Sequence, residues 1–186
     1  MKRLFLLLFL FSLPFVLFGQ ISFEKGYYID NEGNRVECSI KNVEWASNPI
    51  EFFYKLENGG EVQKATVKDV REFQVYGYPK YSSATVQIDR STNNFDSFDW
   101  NREPVWRKET LFLKILTEGQ ATLYVYKENN FIRFFYSLKE REPQQLVYKI
   151  YNFDNSHRKE NNMFRQQLWM NLPLDESHKT LVERVK

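Results

Sequence analysis

Residues 110–138, TLFLKILTEGQATLYVYKENNFIRFFYSL, decide the fold of this chain. They contain three runs rich in Leu, Ile, Val, Phe, Tyr and Thr, separated only by the short polar connections EGQ and ENN. Such residues favour strands, and connections this short join antiparallel neighbours. The stretch therefore predicts three strands of an antiparallel meander, at Thr110–Thr117, Ala121–Tyr126 and Phe131–Leu138.

The same strand pattern continues on both sides of this stretch. Short alternating runs bounded by turn residues predict further strands at Gly26–Asp30, Arg35–Lys41, Ile50–Leu56, near Val62, at Glu72–Tyr76, at Tyr81–Asp89 and at Gln145–Tyr151. No sequence repeat or linker divides the chain. We expect a mainly β fold, as a single antiparallel β-sandwich or partly open barrel of about nine or ten strands.

The hydrophobic period changes near the C-terminus. Phe164, Leu168 and Leu172 recur every fourth residue, which predicts an amphipathic helix over residues 159–172, ended by Pro173. A short second helix is predicted over residues 176–185. We expect the apolar stripe of the first helix to pack on the sheet, within one β-rich domain over residues 20–186.

The first residues, MKRLFLLLFLFSLPFVLFGQ, have the pattern of a secretory signal peptide cleaved after Gly19. We therefore expect an exported protein of the periplasm, cell surface or medium. The whole chain has 26 Lys and Arg against 24 Asp and Glu, and removing Lys2 and Arg3 balances them. A balanced chain predicts neither nucleic-acid binding nor a polybasic membrane patch, and no later apolar run is long enough to span a bilayer.

The hairpin GYYIDNEGNRVECSIKNVEW, residues 26–45, contains the only cysteine, Cys38. A nucleophilic or metal-binding thiolate would need a basic partner or further ligands. The chain has only two histidines, His157 and His178, both in the polar C-terminal part. Alternation places Cys38 on the same face as Ile40, which favours a small buried apolar residue.

The turn of this hairpin carries oxygen-bearing side chains at Asp30, Glu32 and Asn34. A calcium loop uses such ligands, but it closes with a glutamate at its twelfth position, where this chain has Lys41. A tight turn with Gly33 at positive φ explains the same residues and is favoured. Phosphate-binding and zinc-binding motifs are missing from the sequence. The serine motif S-x-x-K occurs at 22–25 and 156–159 but without its companions S-D-N and K-T-G, so no catalytic residue, cofactor or metal is predicted.

The polar stretch STNNFDSFDWNREPVWRK, residues 91–108, is here called the aromatic loop. Aromatic rings interleaved with charged side chains suit contacts with a partner protein or stacking on a sugar. The same rings could instead plug an open end of the sheet. The candidate binding residues are Phe95, Phe98, Trp100, Arg102, Trp106 and Arg107.

Three stretches carry a resemblance to known proteins. The hairpin followed by Asn48 and Pro49, the run KYSSATVQIDRS at 80–91 and the run FRQQLW at 164–169 are similar to a group of uncharacterised secreted proteins of flavobacteria and related Bacteroidota. The resemblance spans nearly the whole mature chain. It implies an exported or envelope location and supplies no catalytic residues.

These observations favour a non-enzymatic exported protein that binds another envelope protein or a glycan. A carrier of a small apolar ligand inside a barrel is one alternative. An enzyme that acts on glycans through paired carboxylates is another. The sequence leaves the partner, the oligomeric state and the exact compartment open.

Overall fold

The computed structural model describes residues 22–56, 60–92, 97–139 and 141–172. The predicted signal peptide, the second predicted helix and Phe95 lie outside the described residues. Within them, the elements in chain order are β1 (Phe23–Asp30), β2 (Arg35–Lys41), β3 (Glu51–Leu56), β4 (Gln63–Thr66), β5 (Val70–Val75), β6 (Lys80–Asp89), β7 (Trp106–Thr117), β8 (Ala121–Glu128), β9 (Phe131–Leu138), β10 (Gln144–Gln145), β11 (Lys149–Asn152), β12 (Arg158–Asn161) and α1 (Met163–Asn171).

Ten of these strands form one antiparallel sheet in the order β10-β9-β8-β7-β6-β5-β1-β2-β3-β4. The sheet does not close, and β11 and β12 form a separate two-stranded sheet. The predicted class, mainly β with a C-terminal helix, is confirmed. The meander predicted from residues 110–138 is present as β7, β8 and β9, which pair in chain order.

The large sheet packs a different core on each of its two faces. Strand β7 contributes to both, because Phe112 belongs to the first core whereas Leu111 and Leu113 belong to the second. Strand β6 divides in the same way, with Tyr81 in the first core and Val86 in the second. Since alternate side chains of a strand point to opposite faces, one sheet serves two cores.

The first core lies over β1 to β7 and is built mainly from aromatic rings. Phe73 lies at its centre. Measured between ring centroids, Phe73 stacks on Phe52 at 4.2 Å and on Tyr81 at 5.1 Å, and it meets Phe112 edge-on at 5.0 Å. Trp45 closes over Phe73 at 5.6 Å. Stacked and edge-to-face pairs stabilise such a core beyond the burial of their area.

The second core is wrapped by β6 to β10, which curl back on themselves. Gln145 of β10 comes close enough for its Oε1 to accept a hydrogen bond from the Asp89 N–H at 2.7 Å, at the end of β6. The enclosed space is filled by side chains, among them Ile88, Leu113 and Phe135. The space enclosed by the curled half of the sheet is therefore occupied by side chains of the sheet itself.

Asn48 links β7 and β8 at the end where the two strands no longer pair with each other. The two strands pair only from Lys114 towards their connection. Beyond that point, Asn48 Nδ2 donates to the carbonyls of Phe112 and Val125 at 2.8 and 2.9 Å, and its Oδ1 accepts from the Lys127 N–H at 3.0 Å. One side chain thus replaces the backbone pairing that the strands lose.

The first hairpin has the buried cysteine and the tight turn that the sequence predicts. Cys38 is 2% exposed and belongs to the first core. Gly33 has a φ of 93°, and Asp30 Oδ1 accepts from the N–H groups of Glu32 and Asn34 at 2.9 and 2.8 Å. The carboxylate oxygens of Asp30 therefore close the turn.

Two predicted boundaries near the C-terminus are wrong. The single strand predicted over 145–151 is interrupted, because Val147 donates to Gln167 Oε1 at 2.8 Å and its carbonyl accepts from the Phe164 N–H at 2.9 Å. The helix predicted from 159 starts at Met163, since residues 158–161 pair with β11. In both places the backbone forms hydrogen bonds with another segment of the chain, and these bonds end the strand and delay the start of the helix that the local sequence predicts. In α1 no residue is fully buried, although Phe164 and Leu168 are half-buried.

Candidate functional site

A cleft of about 1460 Å³ opens at one end of the second core. It is bounded by the end of β6, by β7, by the β8–β9 turn, by β9 and by residues 146–150. Its charged lining residues are Arg90, Arg107, Arg133, Lys149, Glu109 and Glu128, and its apolar wall includes Phe98, Phe131, Ile132, Phe134, Leu146, Tyr148 and Ile150.

Arg90 bridges the separated strands on the cleft side. Its Nε and Nη2 bind both carboxylate oxygens of Glu109, on β7, at 2.9 and 2.6 Å, and its Nη1 binds Glu128, on β8, at 2.7 Å. The guanidinium also lies 4.8 Å from the ring centroid of Phe131. These hydrogen bonds to Arg90 lower the pKa of both glutamates, so both are ionised and the Arg90 pKa is raised.

Asp89 and Arg133 form a buried ion pair beneath the cleft. Asp89 Oδ1 accepts from the Ser91 N–H at 2.9 Å, the Ser91 hydroxyl at 2.5 Å and the Val105 N–H at 2.7 Å. Arg133 Nη2 lies 3.4 Å from Asp89 Oδ2, and its Nε donates to the Asp89 carbonyl at 2.9 Å. Burial lowers the Arg133 pKa, and Asp89 opposes that shift.

The described part of the aromatic loop is tied down along its length. The β11–β12 hairpin holds one side: Asn152 donates to the carbonyls of Phe98 and Asp99, both at 2.8 Å, and Asn161 Nδ2 donates to the Arg102 carbonyl at 3.1 Å. The buried Lys149 binds the Glu103 carbonyl at 2.8 Å and the Asp99 carboxylate at 3.1 Å. These bonds hold the backbone of residues 98–103 against the β11–β12 hairpin.

The structure separates the candidate residues of the loop. Phe98 is buried, at 7% exposure, and lines the cleft beneath the guanidinium of Arg158. Arg107 also lines the cleft and is exposed. Trp100, Arg102 and Trp106 are exposed and are not among the lining residues, with Trp100 at 61% and Trp106 at 46% exposure.

The loop ends earlier than its sequence suggests. Trp106 and Arg107 belong to β7, where they pair with Asp89 and Ile88 of β6. Of the candidate residues, the cleft therefore brings together Phe98 and Arg107, one from the loop and one from the strand.

Sequence reasoning missed most of the cleft's charged residues. Glu109 lies two residues from the apolar Leu111, and Arg133 lies two residues from the apolar Phe135, so each charged residue shares a face with a core residue of its own strand. A charged residue at a position predicted to face the core is the one sequence feature that could have indicated them. Asp89 and Arg90 lie at the end of a predicted strand, where a polar residue is unremarkable. Nothing local to Lys149 indicated that its side chain is buried.

The two carboxylates that line the cleft, Glu109 and Glu128, are both held by Arg90. Glycosidases with paired carboxylates need one carboxylic acid whose pKa is raised so that it can protonate the leaving group. Here both Glu109 and Glu128 have lowered pKa values and share the same arginine. Within the described ranges, no three His, Cys, Asp or Glu side chains are grouped as a metal site would require.

Comparisons with protein families, curated proteins and solved structures found no match to this chain. Over the residues that the structure describes, none of the helical segments has the length and apolar character needed to cross a membrane.

Proposed function

We propose that this is an exported, non-enzymatic binding protein that holds a segment of a partner protein in the cleft. The observation that carries the proposal is the composition of the cleft wall, which combines exposed apolar side chains, such as Phe134 and Tyr148, with the exposed cation of Arg107. Apolar anchors with a few placed polar groups are what protein recognition uses.

The scaffold around the cleft supports binding because it is already ordered. Arg90 joins two strands, and Asp89 and Lys149 fix the aromatic loop, through bonds within the chain. A site held in shape before the partner arrives loses less conformational entropy on association.

The two alternatives have less support from the same residues. An internal carrier needs an empty interior, whereas side chains such as Leu113 and Phe135 fill the second core. A glycan-acting enzyme needs a carboxylic acid that stays protonated, and Arg90 keeps both cleft glutamates ionised.

Site-specific photo-crosslinking in the native host tests the proposal. Tyr148, on the cleft wall, and Tyr78, outside it, are 43% and 38% exposed and form a matched pair. Each is replaced separately by the photoreactive residue p-benzoylphenylalanine, and cells are fractionated after irradiation. We expect a discrete protease-sensitive adduct from position 148 only, in the envelope or medium fraction.

A charge reversal adds a second control. Arg107→Glu should abolish the adduct, whereas Arg141→Glu, in the β9–β10 connection outside the cleft, should leave it unchanged. Equal adducts from both tyrosine positions, or none from 148, would overturn the proposal. An adduct resistant to protease but cleaved by periodate would identify a glycan as the partner instead.

A further inference from the structure

We propose that the partner segment binds as an additional strand on the free edge of β9, with an acidic side chain directed to Arg107. This inference rests on the proposed function, because it concerns the same cleft. It adds the mode of recognition and the chemistry of the segment that is recognised.

Half of one edge of β9 has no strand beside it among the described residues. Strand β10 pairs only with Phe135 and Tyr136, and one further bond joins the Leu146 N–H to the Phe134 carbonyl at 2.8 Å. The chain then turns away from β9, because α1 binds both backbone groups of Val147: the N–H donates to Gln167 Oε1 and the carbonyl accepts from the Phe164 N–H. The cleft lies between β9 and this departing segment.

The backbone of β9 presents hydrogen-bonding groups to that space. The Phe134 carbonyl faces this edge, and backbone direction alternates along a strand, so the groups of Ile132 face it as well. The Ile132 carbonyl accepts from Arg133 Nη1 at 3.0 Å, and a carbonyl has a second lone pair. From Phe131 to Phe134 the edge runs for about 10 Å, at roughly 3.3 Å per residue.

The side chains beside this edge fit a partner segment in which apolar and polar residues alternate. Ile132 and Phe134 are exposed on one face of β9, whereas Phe131 and Arg133 lie on the face of the second core. Because side chains of an added strand align with those of its neighbour, the segment needs apolar residues on the Phe134 side and polar ones on the other.

The positive charge of the cleft favours acidic side chains at the polar positions of the partner segment. Three of the cations in the cleft are already paired: Arg90 with two glutamates, Arg133 with Asp89 and Lys149 with Asp99. Arg107 is exposed and, among the described residues, has no carboxylate within ion-pair distance; its charge acts on Glu109 only from further away and helps to lower the pKa of that carboxyl. An acidic side chain of the partner would therefore meet an available guanidinium.

A displayed library of short random peptides, selected on the full mature chain, tests the inference. Enriched peptides should alternate apolar and acidic residues. N-methylation of their backbone at alternate positions should weaken binding by about tenfold or more, because strand addition depends on main-chain hydrogen bonds. Hydrogen exchange of the Ile132 and Phe134 amides should slow when the peptide is bound to wild-type protein.

Two variants assign the effect to this edge. Arg107→Glu and Phe134→Ala should each weaken peptide binding by about fivefold or more, whereas Arg141→Glu should not. Failure to enrich any peptide, binding insensitive to N-methylation, or unchanged exchange at Ile132 would each overturn strand addition. A cleft-specific crosslink combined with any of these results would leave the proposed function standing, whereas loss of that crosslink overturns the function itself.

Discussion

Asp89 and Arg133, at the end of β6 and on β9, form an ion pair that is almost completely buried, with 3.4 Å between Asp89 Oδ2 and Arg133 Nη2. They are 44 positions apart in the chain. The same carboxylate holds Ser91 and Val105, so the pair joins the sheet to both ends of the aromatic loop.

Breaking this pair from one side should be costly. Asp89→Asn leaves the buried Arg133 charge uncompensated, and we expect a loss of about 3 to 5 kcal/mol in the free energy of unfolding. Urea unfolding monitored by circular dichroism measures it. The double variant Asp89→Asn with Arg133→Met should lose less than the sum of the two single variants; additive losses would show that the two groups are not coupled.

Asn48 should contribute as much to the free energy of unfolding as a buried apolar core residue does, although it is polar. Asn48→Ala removes bonds to three backbone groups between β7 and β8, and we expect a loss of about 2 to 4 kcal/mol in unfolding free energy. Ser47→Ala, which removes one bond to the Asn129 N–H, should cost about 1 kcal/mol. Similar losses for both variants would contradict the bridging role of Asn48.

The Arg90 cluster predicts a dependence of stability on pH. The folded-state pKa values of Glu109 and Glu128 lie below their ordinary value of 4.5, because Arg90 binds their ionised forms. The stabilisation is therefore fully present above pH 4.5 and is lost as the pH falls through the lowered values.

Arg90→Met isolates this contribution. We expect the variant to be less stable than wild type by about 2 kcal/mol at neutral pH, since the pairs are partly exposed. The difference should shrink under acidic conditions, and urea titrations at a series of pH values measure it. A difference independent of pH would mean that the two glutamates do not act through Arg90.

Gly26 is required by the close approach of β1 to β5. A Cβ at this position would lie 2.2 Å from the backbone carbonyl oxygen of Gln74, and backbone of a paired strand cannot easily move. We expect Gly26→Ala to reduce unfolding free energy by more than about 2 kcal/mol. Gly60→Ala, where the added methyl meets nothing within 4 Å, should change it by less than about 0.5 kcal/mol, as thermal melts would show.

The aromatic residues of the loop should differ in how much they contribute to stability. Trp100→Ala and Trp106→Ala remove exposed rings, so each should change stability by less than about 0.5 kcal/mol. Phe98→Ala removes a buried ring and should cost about 3 kcal/mol. The double tryptophan variant should still fold and, because neither ring lines the cleft, should give the same crosslink from position 148; a lower yield would show that the binding surface extends from the cleft to these rings.

The sequence by itself determined the local elements of this protein. Alternation with period two located the strands, including the meander of β7, β8 and β9, and placed Cys38 inside the first core. The turn at Gly33 followed from its neighbours, since turn chemistry depends on a few adjacent residues. These features are decided within one strand or one turn, which is why pattern is sufficient to find them.

Only the tertiary structure decided how the elements share their faces and where the cleft lies. No local pattern indicates that one sheet packs cores on both faces, that Asn48 enters between β7 and β8, or that α1 takes the backbone of Val147 away from β9. The charges of the cleft come from positions far apart in the chain, such as Arg90 and Glu128. Buried polar groups must find partners wherever the fold brings them, so the partners are set by the assembled sheet and not by the neighbours along the chain.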